Sequence, residues 1–216
     1  MFCSLEELHT ESDVEQKLLW PLLTTGVPNG TGLVSADILT KLSIRRLEIG
    51  KGSSRKLYYP DYMVVIAGLP VLVIEAKAPG ESVEQALAEA RLYATELNAL
   101  FPSGINPCTR IVACNGAELL SAPVDTADHD IKLKHSDISV GSALYAQLID
   151  KCRRAVLQKH ADEIRARFRN PNTEGPSATS AVRLFRTKNW PRIRLVPRSS
   201  ETMVMSLVLG RARSVR

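Results

Sequence analysis

The chain has 216 residues, 44% hydrophobic and 24% charged, with 28 Lys and Arg against 23 Asp and Glu for a formal net charge of +5. That suffices for one substantial α/β core and an appendage. It excludes a membrane span, because the longest apolar stretch, residues 62–74, is too short and contains Gly68 and Pro70.

Residues 1–13 are acidic and lack the basic-then-apolar order of a secretory signal. A cytoplasmic location follows as an expectation. The four cysteines, Cys3, Cys108, Cys114 and Cys152, form no C-x-x-C pair and read as reduced thiols. The charge is unevenly spread: residues 1–150 hold twelve basic against nineteen acidic side chains, whereas residues 151–216 hold sixteen against four.

In chain order, a helix is predicted over residues 11–24, capped by Thr10 or Ser12 and kinked or ended at Pro21. Residues 26–32 are turn-rich. Residues 39–49 alternate imperfectly and read as a first strand, with a loop at 50–56. Residues 62–67 and 71–74 are rich in β-branched side chains, and Gly68-Leu69-Pro70 between them is turn chemistry, so the pair reads as a hairpin. A helix follows over about 82–100. A strand at 109–114 turns at Asn115-Gly116 and returns over 118–121. Residues 125–139 are polar and read as a loop, and residues 140–168 as one or two helices.

Lys151, Arg153, Arg154, Lys159, Arg165, Arg167 and Arg169 make the last helical stretch strongly basic. Residues 170–180 resemble a linker in composition, and 183–216 carry no clear period. The chain therefore divides into a core at 1–139, a basic helical extension at 140–169, and a linker with an unassigned basic tail at 170–216. Such a tail either holds a polyanion by counterion release or is simply a solvated charge run.

Three residues carry the chemistry. Asp61 opens the first hairpin strand, and Glu75 and Lys77 close the second. Removing a charge from water costs several kcal/mol unless it is paired or binds a metal, so two acids and an amine at the ends of such apolar strands need a common function. With a three-residue loop Ala67 opposes Val71, and counting outward puts Asp61 opposite Lys77 and diagonal to Glu75. A two-residue loop would turn Asp61 to the far face.

The helix after the hairpin has two stripes. Val83, Leu87, Ala90, Ala94 and Leu97 make a core face. Gln85, Glu89 and Tyr93, four apart, form a polar stripe that leans over the acidic cluster, contacts DNA, or is an ordinary solvated face.

Pro60-Asp61, a spacer, then Glu75-Ala76-Lys77 resembles the PD-(D/E)xK nuclease motif, in surroundings similar to the N-terminal nuclease domain of type I restriction enzyme R subunits. The resemblance covers roughly residues 10–122. It implies a restriction-endonuclease-like αβββαβ core, a mixed central sheet flanked by helices. The opening helix resembles the family's, whose glutamate joins the metal site, and Glu15 is the matching position. The helix from Val83 resembles the one bearing a Gln-x-x-x-Tyr element; here Glu89 stands four before Tyr93 in place of the glutamine, with Gln85 one turn earlier.

By this resemblance Asp61, Glu75, Glu15 and the main-chain carbonyl of Ala76 hold Mg²⁺, which Mn²⁺ could replace, and Lys77 orients the attacking water. The implied function is metal-dependent hydrolysis of DNA phosphodiesters within a restriction or defence system. Motor or specificity subunits, or a second copy of the chain, are the partners implied beside DNA.

Two other readings stay open: a plain salt-bridged cluster at a hairpin end, and a non-catalytic nucleic-acid-binding or assembly module keeping the nuclease fold. The histidines show no zinc-ligand spacing, and no complete Walker A sequence is present, so ATP hydrolysis by this chain alone is not expected.

Overall fold

The computed structural model describes residues 2–41 and 59–169, together with short strands at 180–182, 185–187, 190–192, 196–198 and 202–205. A six-stranded mixed sheet runs in the spatial order β1-β2-β3-β4-β5-β6, formed by Ile38–Thr40, Tyr62–Ile66, Leu69–Ala76, Arg110–Cys114, Glu118–Pro123 and Ile131–Lys134. All neighbours are antiparallel except β3 and β4, which are parallel. A parallel pair needs a crossover, and the helix Val83–Ala99, α2, supplies it.

The opening helix, α1, is α-helical over Glu11–Asp13, widens to a π-helix over Val14–Leu19 and returns to α over Trp20–Thr24. Thr10 caps it: the Asp13 amide donates to Thr10 Oγ1 at 3.1 Å and the Thr10 amide donates to Asp13 Oδ2 at 2.9 Å. Pro21 has no amide to give to an intrahelical bond. The widened turn before it, where the Trp20 amide reaches Glu15 O, lets the helix pass the proline rather than break.

The sheet is covered on both faces. On one side lie α1 and the C-terminal helices α3, Ala143–Cys152, and α4, Arg154–Arg169; their side chains Leu18, Leu22, Leu148, Leu157 and Ile164 join Val64, Leu72, Ile74 and Val112 in one buried cluster. On the other side α2 lays Val83, Leu87, Ala90, Ala94 and Leu97 on Met63, Val73, Ile111, Ala113 and Leu120. This is the predicted core stripe. No helix among the described residues is long and apolar enough to cross a membrane.

The hairpin departs from expectation. Its loop is two residues, Ala67 and Gly68, both at positive φ (50° and 77°), the turn whose twist matches that of paired strands. β3 accordingly starts at Leu69. Val65 pairs with Pro70 but Val64 with Leu72, leaving Val71 as a bulge. Pro70 sits beside that bulge and before the first β3–β4 pair, where a missing amide is tolerated.

Two further differences concern the periphery. The polar stretch 125–139, expected as a loop, contains β6, where Ile131 and Leu133 are buried and Lys132 and Lys134 exposed. A period-two pattern only four residues long is easily hidden among charged neighbours. The predicted first strand is seen only at its start, as β1; residues 42–49 of it and the loop at 50–56 fall outside the described residues. The Asn115-Gly116 turn is as expected. Gly116 has φ 85°, and a side chain there would meet Leu8 at 2.9 Å.

Past α4, Val196–Arg198 pairs antiparallel to Thr202–Met205, which runs parallel to Ser180–Val182, and Phe185–Thr187 pairs with Trp190–Arg192. Most of the linker and tail stretches predicted at 170–180 and 183–216 lie outside the described residues.

Candidate active site

Asp61 immediately precedes β2 and Glu75 lies near the end of β3, so both stand at one end of the sheet. The register corrects the expected pairing: Tyr62 lies opposite Ile74, and one further step sets Asp61 opposite Glu75, not Lys77. A two-residue loop alone would have turned Asp61 away from Glu75. The Val71 bulge adds the one residue that restores a shared face. Alternation with Met63 and Val73 places that face toward α2.

Asp61 is 2% exposed. Its Oδ2 accepts a hydrogen bond from the Ala76 amide at 2.5 Å, which locks the two strand ends together. Its Oδ1 is paired with the ammonium of Lys41. The same Nζ lies 2.7 Å from Glu11 Oε1 and 3.5 Å from Glu15 Oε1. Glu11, Glu15 and Asp61 each offer an oxygen within 4.8 Å of the others, a set able to hold a metal ion. Glu15 is held there by Tyr62, whose hydroxyl donates to the Glu15 carbonyl at 3.0 Å and whose ring lies 6.1 Å from that of Trp20.

Glu75 and Lys77 make the adjoining half. Lys77 Nζ donates to Glu75 Oε1 at 3.2 Å and lies 2.9 Å from Glu89 Oε2. Glu75 is 3% exposed, and its Oε2 is buried without a hydrogen-bond partner among the described residues. Such an atom is costly to leave unsatisfied.

Electrostatics follow from this crowding. Burial, then the Asp61 charge, pushes the Glu75 carboxyl up to about 8 against the pull of Lys77. Burial raises Asp61 as well, opposed by Lys41 and the Ala76 amide. Glu15 is raised by burial and then by Asp61. Burial works to lower the Lys77 ammonium, but Glu89 and Glu75 outweigh it and hold the proton on. Acids pushed toward neutrality beside lysines kept charged are the mark of a place where more positive charge is wanted.

The expected residues thus fall in two adjoining groups: Glu15 and Asp61 in one, Glu75 and Lys77 in the other, with Asp61 opposite Glu75. Ala76 contributes its amide to Asp61. On α2, Glu89 leans onto Lys77, exposed Gln85 lies 3.5 Å from Glu89, and Tyr93 is buried at 2% exposure in the layer beneath. Burial, then Glu75 and Glu89, raises the Tyr93 hydroxyl.

Two residues of the cluster were not anticipated, Glu11 and Lys41. Glu11 stands four before Glu15 on one helix, a spacing that signals a shared face; Lys41 carried no local signal.

Residues 43–122 match the family described as Type I restriction enzyme R protein N terminus. The matched span contains Asp61, Glu75, Lys77 and the α2 stripe, while Glu11, Glu15 and Lys41 precede it. No curated protein and no solved structure matches the chain.

Proposed function

We propose that this chain is a divalent-metal-dependent DNA endonuclease module of a restriction system, built on a restriction-endonuclease-like core. The observation that carries the reading is the meeting of Glu15 and Asp61 with the Glu75–Lys77 pair at one sheet end, inside a span matching the R-protein N terminus. The donor set fits a hard cation, being all oxygen, three carboxylates and a main-chain carbonyl, with one buried oxygen of Glu75 unsatisfied. Asp61, Glu75, Glu15 and the Ala76 carbonyl would hold Mg²⁺, or Mn²⁺ in its place.

When bound, the ion supplies polarisation of the scissile phosphodiester and a lowered pKa for water. The net reaction adds water across one P–O bond, leaving a phosphate monoester and a hydroxyl. Lys77 remains an ammonium under the influence of Glu89 and Glu75, so it can donate to the charge that builds on the phosphate oxygens. Asp61 fixes the geometry by tying the Ala76 backbone. Choice of site would come from motor or specificity partners, or from pairing of two chains.

The test is conversion of supercoiled plasmid with Mg²⁺ or Mn²⁺ against an EDTA control. Lys77→Ala should cut at least about a hundredfold more slowly while binding DNA and folding as before. Cleavage by Lys77→Ala at the unmutated rate would refute the assigned mechanism.

A second reading, a non-catalytic DNA-binding or assembly module, is favoured by Glu89, which adds a negative charge 2.9 Å from the lysine that catalysis would need. DNA binding that survives EDTA, with no nicking under any metal, would select it.

A further inference from the structure

We propose that Glu11, Glu15 and Asp61 form a cation pocket that Lys41 fills in the metal-free protein and vacates when a divalent ion enters. The inference rests on the metal-site reading above and deepens it, by adding Glu11 to the ligands and giving Lys41 the part of an internal competitor.

Lys41 touches all three acids at once: its ammonium is 2.7 Å from Glu11 and 3.5 Å from Glu15, and it pairs with Asp61 Oδ1. Asp61 is divided between two tasks. Oδ2 is committed to the Ala76 amide, so Oδ1 is the atom left to face a cation. Three carboxylates against one ammonium leave a formal charge of −2, which favours a dication over the lysine. The oxygens need only draw in, from 2.7–3.5 Å around an ammonium to roughly 2.0–2.6 Å around Mg²⁺ or a larger ion.

Lys41 is also built to leave. Its backbone amide donates to the Asp61 carbonyl at 3.2 Å, which anchors the residue to the β2 edge. The side chain is 44% exposed. Only the flexible four-carbon stem has to swing, and its head regains water as it goes. The exchange is therefore a side-chain motion with no change of fold.

The experiment is calorimetric titration of Mn²⁺ into the full chain and into Lys41→Met, Lys41→Gln and Glu11→Gln, with melting curves in EDTA and in Mn²⁺. Lys41→Met should bind Mn²⁺ about tenfold more tightly, because no ammonium then competes for the three carboxylates. It should melt lower than the unmutated chain in EDTA, where three acids lose their counter-ion, and gain more from Mn²⁺. Glu11→Gln should bind Mn²⁺ about tenfold more weakly.

Lys41→Gln has no charge to compete and serves the same comparison if the methionine variant fails to fold. Mn²⁺ binding by the lysine variants alone supports the exchange in its strongest form. Equal affinity of the unmutated chain and both lysine variants overturns the exchange and leaves the metal site standing. Unmutated affinity in Glu11→Gln removes Glu11 from the pocket. An absence of Mn²⁺ binding in every protein overturns both the exchange and the metal reading.

Discussion

Glu75 is a carboxyl held almost out of water, at 3% exposure. Its carboxyl, ordinarily near 4.5, is pushed up to about 8, first by burial and then by Asp61. The sign follows from linkage: the folded state holds this proton more tightly than the unfolded one, so the stabilisation is complete below pH 4.5 and lost as pH rises through 8. In EDTA, stability should fall across that window by no more than about 1.4 kcal/mol per pH unit from this group. Glu75→Gln should flatten the decline. Melting temperatures of both proteins between those limits check it, and parallel declines would locate the pH dependence elsewhere. The prominence of Asp61, Glu75 and Lys77 in the sequence has a simple cause: charges bordering long apolar runs stand out. Lys41 has no such frame, because its partners are 20 or more positions away and only folding brings them near.

The hairpin shows how one element decides the placement of a site. Strand content and turn chemistry were legible in Tyr62–Ile66 and in the β-branched run after Pro70, but the loop length was not. Gly68-Leu69-Pro70 reads as a turn, whereas the chain turns at Ala67-Gly68 and carries Pro70 into the strand at a bulge. Two departures of one residue each cancel, and Asp61 and Glu75 end on one face. Ala67 bears the strain of this solution at φ 50°. Left-handed backbone costs an L-residue about 1–2 kcal/mol, and Asn tolerates it better, so Ala67→Asn should be more stable. A gain of 1 kcal/mol should raise the melting temperature by about 2–4 °C in a protein of this size. A lower melting temperature would mean that the packing of the Ala67 methyl on the core outweighs the backbone strain.

For the molecule as a whole, the charge asymmetry makes the prediction. Nine Lys and Arg lie beyond residue 169 against two acidic residues, while residues 1–150 are net acidic. If this basic stretch neutralises DNA phosphates, each contact adds about 0.9 to the slope of log affinity against log salt. A chain ending at residue 169 should therefore bind duplex DNA more weakly than the full chain, with a slope shallower by several such units. Fluorescence anisotropy between about 50 and 200 mM salt measures both. Equal slopes would mean that the basic stretch is solvated and makes no contact with DNA.

Local pattern carried the helices, the strands that enclose the core and the identity of the acids and lysine at the hairpin ends, because amphipathic period and strand composition are properties of neighbouring residues. It also carried the two-faced character of α2, whose apolar stripe lies on the sheet and whose Glu89 reaches Lys77. What depended on the folded chain was the register through the Val71 bulge, the addition of β6, and the convergence of Glu11, Glu15, Lys41 and Asp61. Those are long-range arrangements. They arise from packing on both faces of a sheet and from charges seeking counter-charges, and no short window of residues encodes either.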